Sequence, residues 1–339
     1  KRGFSRLSGF VNGVLRNISR KKETISYPKK DKDLVTYLSV TYSIPEWIIN
    51  FFKKTYDDET VEKIIASYLE DRKTTLCCLE SKGGKDAVRK ELEAENVTVE
   101  DGKLIENAVK ISDYDFLYRL KAFREGKCYV QDESSMLCAK LAGAEEGQFV
   151  MDLCSAPGGK SLYTADQMKD SGQILSRDLT EYKTDLIEDN IERMGFTNMV
   201  SEVFDATVLD EEHIEAADVV IADVPCSGLG IMGKKNDIKY HISEEGMKDL
   251  VKLQREILTN AVQYVKHGGT LIYSTCTINP EENEKNFQWI KDHFDYEAVD
   301  ITEELPHNLK IDTAKDGYIQ LLPGIHPCDG FFIGKLRRK

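Results

Sequence analysis

From Gly147 onward the apolar positions fall into short, near-continuous runs separated by longer segments of helical period, a pattern that predicts alternating strands and helices. Residues 149–153 read as a strand, followed by a glycine turn and a helix from Lys160. Residues 174–175 lead to Asp178, and 181–194 form an amphipathic helix. Residues 199–204 end at Asp205, and 218–222 end at Asp223. A long helix covers 244–265, Gly268-Gly269 turns into a strand over 270–274, and 318–322 and 331–336 close the chain as strands. Asn279-Pro280-Glu281-Glu282 reads as a helix start: an N-cap, proline at the first position, then acids in the first turn. Strands that are apolar throughout are buried on both faces, so the expected architecture is α/β, a mostly parallel sheet with helices on both sides. Ligands bind such sheets at the carboxyl ends of the strands, where Cys154, Asp178, Asp205, Asp223 and Cys276 all fall.

The first 130 residues have a different grammar. Helical periodicity over 31–42 and 47–69 is broken at Pro45. Residues 74–79 form a β-type run, and Gly83-Gly84 precede a charged helix to about Glu95. Residues 97–99 and 103–105 flank Asp101-Gly102, a two-residue hairpin signal. A small α/β module over 31–130 beside a catalytic domain over 131–339 is expected. Ahead of it, Phe10, Val11, Val14, Leu15 and Ile18 mark one face of a helix within 1–20. Residues 21–30 read as a polar linker ending near Pro28.

Charge complicates this picture. The chain carries −13, but residues 1–30 hold nine Lys/Arg against one acid, leaving −21 on the remainder. A basic arm on an acidic body can bind a phosphate backbone locally; equally, it can be a solvated helix end. No apolar run is long enough to span a bilayer, and the first residues lack a signal-peptide pattern. None of the eight cysteines forms a CxxC pair, so no metal is expected, and free thiols in a reducing cytoplasm are the default. Cys77, Cys78, Cys138 and Cys328 read as small buried hydrophobes.

Chemistry concentrates at five places. Asp152-Leu153-Cys154-Ser155-Ala156-Pro157-Gly158-Gly159-Lys160 is a glycine-rich turn into a helix, without a phosphate-loop or dinucleotide pattern. Asp178 is placed to accept from vicinal ribose hydroxyls and Asp205 from an adenine amino group. A nucleoside cofactor without a polyphosphate cradle describes S-adenosyl-L-methionine. Taken singly, each acid reads as readily as a cap or a solvated loop end. Cys226, in Asp223-Val224-Pro225-Cys226-Ser227-Gly228, and Cys276, directly after a strand, stand 50 positions apart yet at the same sheet edge. Cys276 is expected just before a helix N-terminus, which favours a thiolate. Thiols there suit a reaction at carbon 5 of cytosine: a thiolate adds at carbon 6, and carbon 5 becomes the nucleophile. An acid near Asp223 can serve ring nitrogen 3, and a second thiol at Cys226 can assist release.

At these residues the chain resembles the RsmB/Sun branch of the RNA 5-methylcytosine methyltransferases. The resemblance covers 30–339, through segments 152–160, 223–228, 274–276 and 279–284, with weaker support from 131–135, Leu253-Gln254 and 329–332. It implies a Rossmann-like, seven-stranded methyltransferase fold with an RRM-like N-terminal domain. It implies Cys276 as nucleophile and Cys226 as the cysteine that assists release. It implies Cys154, Ser155, Ala156, Pro157, Gly158, Gly159, Lys160, Asp178, Asp205 and Asp223 as cofactor contacts, with Lys160 and Asp223 also facing the base. In DNA cytosine methyltransferases the Pro-Cys cysteine attacks instead, so bare chemistry leaves Cys226 open.

Residues 1–20 resemble the last helix of a NusB-like domain, which points to small-subunit (16S) ribosomal RNA as partner and to a longer parent protein. Strand 74–80 departs from the family in reading Thr-Thr-Leu-Cys-Cys-Leu-Glu where Arg and Asn are usual. RNA binding is therefore expected to lean on the basic front and on Lys335, Arg337, Arg338 and Lys339. A monomer is expected. The competing readings are the same reaction on transfer RNA or another ribosomal site, a catalytically silent assembly factor, and a small-molecule methyltransferase.

Overall fold

The computed structural model describes residues 5–24, 26–71 and 73–339 and divides into two units, Lys1–Ile65 and Ala66–Lys339. Lys1 and Arg2 of the basic arm lie outside the described residues.

The first unit is helical: α1 (Ser8–Lys21), α2 (Leu34–Tyr42), α3 (Glu46–Phe52) and the start of α4 (Asp58–Ser67). The periodicity over 47–69 predicted one helix, and two are found. Asp57 ends the run by accepting from the Thr60 backbone N–H at 2.8 Å, a local cap that competes with helix continuation. On α1, Phe10, Val11, Val14, Leu15 and Ile18 are all exposed.

The second unit opens with an antiparallel sheet built from β1 (Thr74–Cys78), β2 (Thr98–Asp101), β3 (Ala108–Ser112) and β4 (Cys128–Val130), in the order β2-β3-β1-β4. Helices α5 (Gly84–Ala94) and α6 (Lys121–Arg124) accompany it. The hairpin expected at Asp101-Gly102 is not a two-residue turn. The return strand starts at Ala108, and Asp101 pairs with Val109. Leu104 and Ile105, expected in that strand, instead tuck into the core, where their N–H groups donate to the buried Glu133 carboxylate at 2.5 and 3.1 Å. Tertiary bonds to one buried acid outweigh the local turn signal.

After α7 (Glu133–Ala142) comes the large sheet. Its strands are β5 (Phe149–Asp152), β6 (Gln173–Asp178), β7 (Met199–Val203), β8 (Ala217–Asp223), β9 (Val265–Thr275), β10 (Tyr296–Ala298), β11 (Tyr318–Leu321) and β12 (Phe331–Arg338). Seven lie in the order β10-β12-β9-β8-β5-β6-β7, and the eighth, β11, pairs with β12. Strands β5 to β9 run parallel, and β12 returns antiparallel to β9. This is the Rossmann-like, mostly parallel sheet that the strand pattern predicts. Helices α8 (Gly159–Gln167), α9 (Glu181–Met194), α10 (Ile238–His241), α11 (Glu244–Tyr264) and α12 (Glu284–His293) complete the unit. One apolar cluster runs from Cys77 and Tyr129 of the small sheet through α7 and α8 to Ile221 and Ile272; a second fills the opposite face beneath α11 and α12. Gly268-Gly269 do not break the chain: β9 runs through them, with a register shift against β8.

Candidate active site

Five parallel strands deliver their carboxyl ends to one edge, as the strand grammar required. β8 and β9 are adjacent there, Asp223 opposite Ser274, so the loops carrying Cys226 and Cys276 leave the sheet side by side. The two sulfurs lie 3.2 Å apart, both half-buried. Contact with Cys276, together with burial, pushes the Cys226 thiol up.

Beside them Lys160, from the first turn of α8, forms an ion pair with Asp223. Burial opposes the ammonium charge, but the Asp223 carboxylate holds the Lys160 pKa above its ordinary value. Ser274 donates to the other Asp223 oxygen at 2.8 Å, and the Lys160 ammonium sits 5.2 Å from the centre of the Phe331 ring.

The turn over 154–160 is shaped by Gly158, whose φ of +97° is open to few other residues. Its base is a hydroxyl chain: Ser155 and Ser176 each lie 2.9 Å from Ser161, which donates to Asp152 at 2.7 Å. Burial raises the Asp152 carboxyl to about 6. Asp152 Oδ1 and Gln131 Oε1 are buried with no protein partner, and Gln131 borders the turn at Gly159. Asp178 is nearly fully buried. Its Oδ2 accepts from the Ala156 N–H at 2.9 Å and its Oδ1 from the Leu179 N–H and Lys183 ammonium, each at 2.8 Å. Of roughly four acceptor positions on a carboxylate, three are taken. Asp205 is exposed and accepts from the N–H and hydroxyl of Thr207 at 2.9 and 2.7 Å. Unpartnered acceptors around a glycine turn, with acids at successive strand ends, fit a nucleoside bearing a positively charged sulfonium.

The 16S rRNA methyltransferase RsmB/F family profile matches residues 139–337. A probable ribosomal RNA small subunit methyltransferase B of Bacillus subtilis is 36% identical over the whole of this chain and 75% of its own length. The chain belongs to the RsmB/F family. A Synechocystis protein of the same description is 29% identical over 99% of this chain and 75% of its own length. The crystal structure of PH0851 superposes with a TM-score of 0.84 at 30% identity, covering 94% of this chain and 71% of that one. NSun6 from Pyrococcus horikoshii, solved with SFG, shares the fold at a TM-score of 0.77 and 20% identity, covering 87% and 98%. The chain is thus a methyltransferase.

Two sequence expectations fail in this RsmB/F chain. Asn279 does not start a helix; α12 begins at Glu284, eight residues after Cys276 rather than directly after it. Asn279, Glu282 and Asn283 instead turn inward and bury their side chains, while Glu281 stays exposed. The tail cations are also largely spent: Lys335 pairs with Glu304, Arg338 with Glu215 and Lys339 with Asp295. Sequence reasoning missed Glu282, Ser227 and Asn279 as site-building residues; only their position between a strand end and a helix hinted at it. Among the described residues, no cluster of His, Cys, Asp and Glu could hold a metal, and no helix is long and apolar enough to cross a membrane.

Proposed function

We propose that this chain transfers a methyl group from S-adenosyl-L-methionine to carbon 5 of a cytosine in small-subunit (16S) ribosomal RNA, through a covalent bond between Cys276 and the base. The observation that carries this reading is the pair of thiols 3.2 Å apart beside the Lys160–Asp223 ion pair. Two thiols and a carboxylate–ammonium couple at one strand edge have no use in a scaffold, but each has a task in cytosine chemistry.

Cys276 thiolate adds to carbon 6, and the displaced electron pair enriches carbon 5 while ring nitrogen 3 takes a hydrogen bond or proton from the Asp223–Lys160 couple. Bound S-adenosyl-L-methionine supplies an electrophilic methyl group, held by residues 154–160, Asp178, Asp205 and Asp223. Cys226, as a thiolate once its own proton has passed to solvent, then removes the carbon 5 proton; those electrons re-form the 5,6 double bond and the carbon–sulfur bond to Cys276 breaks. The raised Cys226 thiol favours Cys276 over Cys226 as the attacking group. Residues 131–339 would carry this chemistry, 31–130 would bind RNA, and 1–30 would be the end of a NusB-like domain and its linker. In support, exposed Phe116 and Tyr118 lie on the small module with Arg119 stacked 5.0 Å from the Phe116 ring centre, a surface suited to unstacked bases. The protein would act as a monomer in the cytoplasm.

The test is labelled methyl transfer to protein-free small-subunit RNA and to transfer RNA, followed by nucleoside analysis. Label in ribosomal 5-methylcytosine, lost in Cys276→Ala and trapped as a protein–RNA adduct in Cys226→Ala, is expected. Label confined to transfer RNA would overturn the substrate, and an active Cys276→Ala the nucleophile.

A further inference from the structure

Glu282 is fully buried, yet among the described residues no cation pairs with its carboxylate. It accepts four hydrogen bonds, all from uncharged donors. Oε2 takes the Ser227 N–H at 2.8 Å and the Gln254 amide at 2.9 Å; Oε1 takes the Ser227 hydroxyl at 2.5 Å and the Asn279 amide at 2.8 Å. All its acceptor positions are filled, the condition under which a buried carboxylate is tolerable without a counter-charge. The donors come from three pieces of chain that are far apart in the sequence. Ser227 follows Cys226, Asn279 lies three residues after Cys276, and Gln254 sits on α11.

The surrounding bonds tie the same pieces. Gln254 also donates to the Pro225 carbonyl at 2.9 Å, and Asn286 orients its amide by donating to Gln254 Oε1 at 2.9 Å. Ser227 and Thr277 hydroxyls, each adjacent to a site cysteine, are 2.7 Å apart. The Tyr273 hydroxyl, three residues before Cys276, donates to the Glu282 carbonyl. Remove the carboxylate, and the loop bearing Cys226 loses both of the bonds that Ser227 makes to Glu282.

We infer that Glu282 is a positioning residue that holds Cys226 against Cys276 and thereby sets the release step. The inference rests on the thiol roles proposed above. Cys276 hangs from β9, pinned on both sides by β8 and β12, whereas Cys226 follows the end of β8 on a loop. Loosening the clamp therefore shifts Cys226 more than Cys276, and release slows more than attack.

The experiment compares wild type, Cys226→Ala, Glu282→Gln and Ser227→Ala on one RNA substrate, reading adduct on a denaturing gel against 5-methylcytosine formed. Glutamine keeps the shape but turns an NH2 toward one donor pair. A misplacement of about 1 Å costs on the order of a hundredfold, so Glu282→Gln is expected to cut product release by at least about tenfold. Adduct should accumulate while affinity for S-adenosylhomocysteine stays unchanged. Ser227→Ala, which removes one donor and keeps the backbone bond, should give the same partition to a smaller degree and serves if Glu282→Gln fails to fold. Adduct and product falling in parallel in the folded variant, or wild-type partitioning in both, would overturn the inference. A Cys226→Ala enzyme that turns over without adduct would instead remove the underlying thiol assignment.

Discussion

Gly230 and Gly330 cross backbone to backbone. The Gly330 N–H donates to the Gly230 carbonyl at 3.0 Å, and the Gly230 N–H donates to the carbonyl of Cys276 at 3.1 Å. This crossing locks the loop that follows Cys226 to both Cys276 and the start of β12. A Cβ on Gly230 would lie 2.1 Å from the Gly330 carbonyl oxygen, and one on Gly330 would lie 2.6 Å from Gly230 Cα. Backbone atoms cannot yield as a flexible side chain does. Gly230→Ala should therefore cost about 1–3 kcal/mol, as overpacking does, and reduce activity more than it reduces stability. A denaturant titration beside an activity assay checks both.

The thiol pair predicts redox sensitivity. Sulfurs 3.2 Å apart are close to the bonding distance of about 2.05 Å, and neither thiol is fully buried. Treatment with diamide should join Cys226 to Cys276 within one chain, abolish methyl transfer, and be reversed by dithiothreitol. Cys226→Ala should lose this crosslink; its persistence there, seen by peptide mapping, would assign the oxidation to other cysteines.

On the proposed reading, Lys183 competes with the cofactor for Asp178. The Lys183 ammonium occupies Asp178 Oδ1 at 2.8 Å, and a ribose diol that uses both carboxylate oxygens must displace it. Lys183 is half-exposed, and such pairs are worth about 0.2–1 kcal/mol. Lys183→Ala should tighten S-adenosylhomocysteine binding by up to about fivefold, whereas Asp178→Ala should weaken it by more than about tenfold. Calorimetric titration reads both.

Two buried acids give opposite pH slopes. Burial works to raise Asp132, but the Lys234 charge and bonds from Ser134 hold it down at about 2, against an ordinary 3.8. Its contribution, about 2 kcal/mol, is present above pH 3.8 and lost as pH falls through 2. Asp152 is raised by burial to about 6, so it favours the fold below pH 3.8 and loses that advantage as pH climbs through 6. Asp132→Asn should flatten stability below pH 4, and Asp152→Asn should flatten it between about 4 and 6. Urea midpoints measured across pH 2–7 separate the two.

Much of this protein is legible in its sequence. The helix over 181–194 is found with the predicted ends, and the acids Asp178 and Asp223 do close their strands. Apolar runs bounded by glycine and acid specify buried parallel strands, and such strands bring their carboxyl ends to one edge. That alone gathers Cys154, Asp178, Asp205, Asp223 and Cys276. Local pattern could not show where side chains would turn once gathered. Asn279-Pro280-Glu281-Glu282 has every mark of a helix start, yet Glu282 points inward because Ser227 and Gln254, 55 and 28 positions away, supply its hydrogen bonds. The tail cations read as free charge until β12 laid them beside Glu304, Glu215 and Asp295. Periodicity along a chain determines which residues reach a surface or an edge. Pairing among buried polar groups is decided only by the tertiary structure, since each bond depends on a partner that no local signal contains.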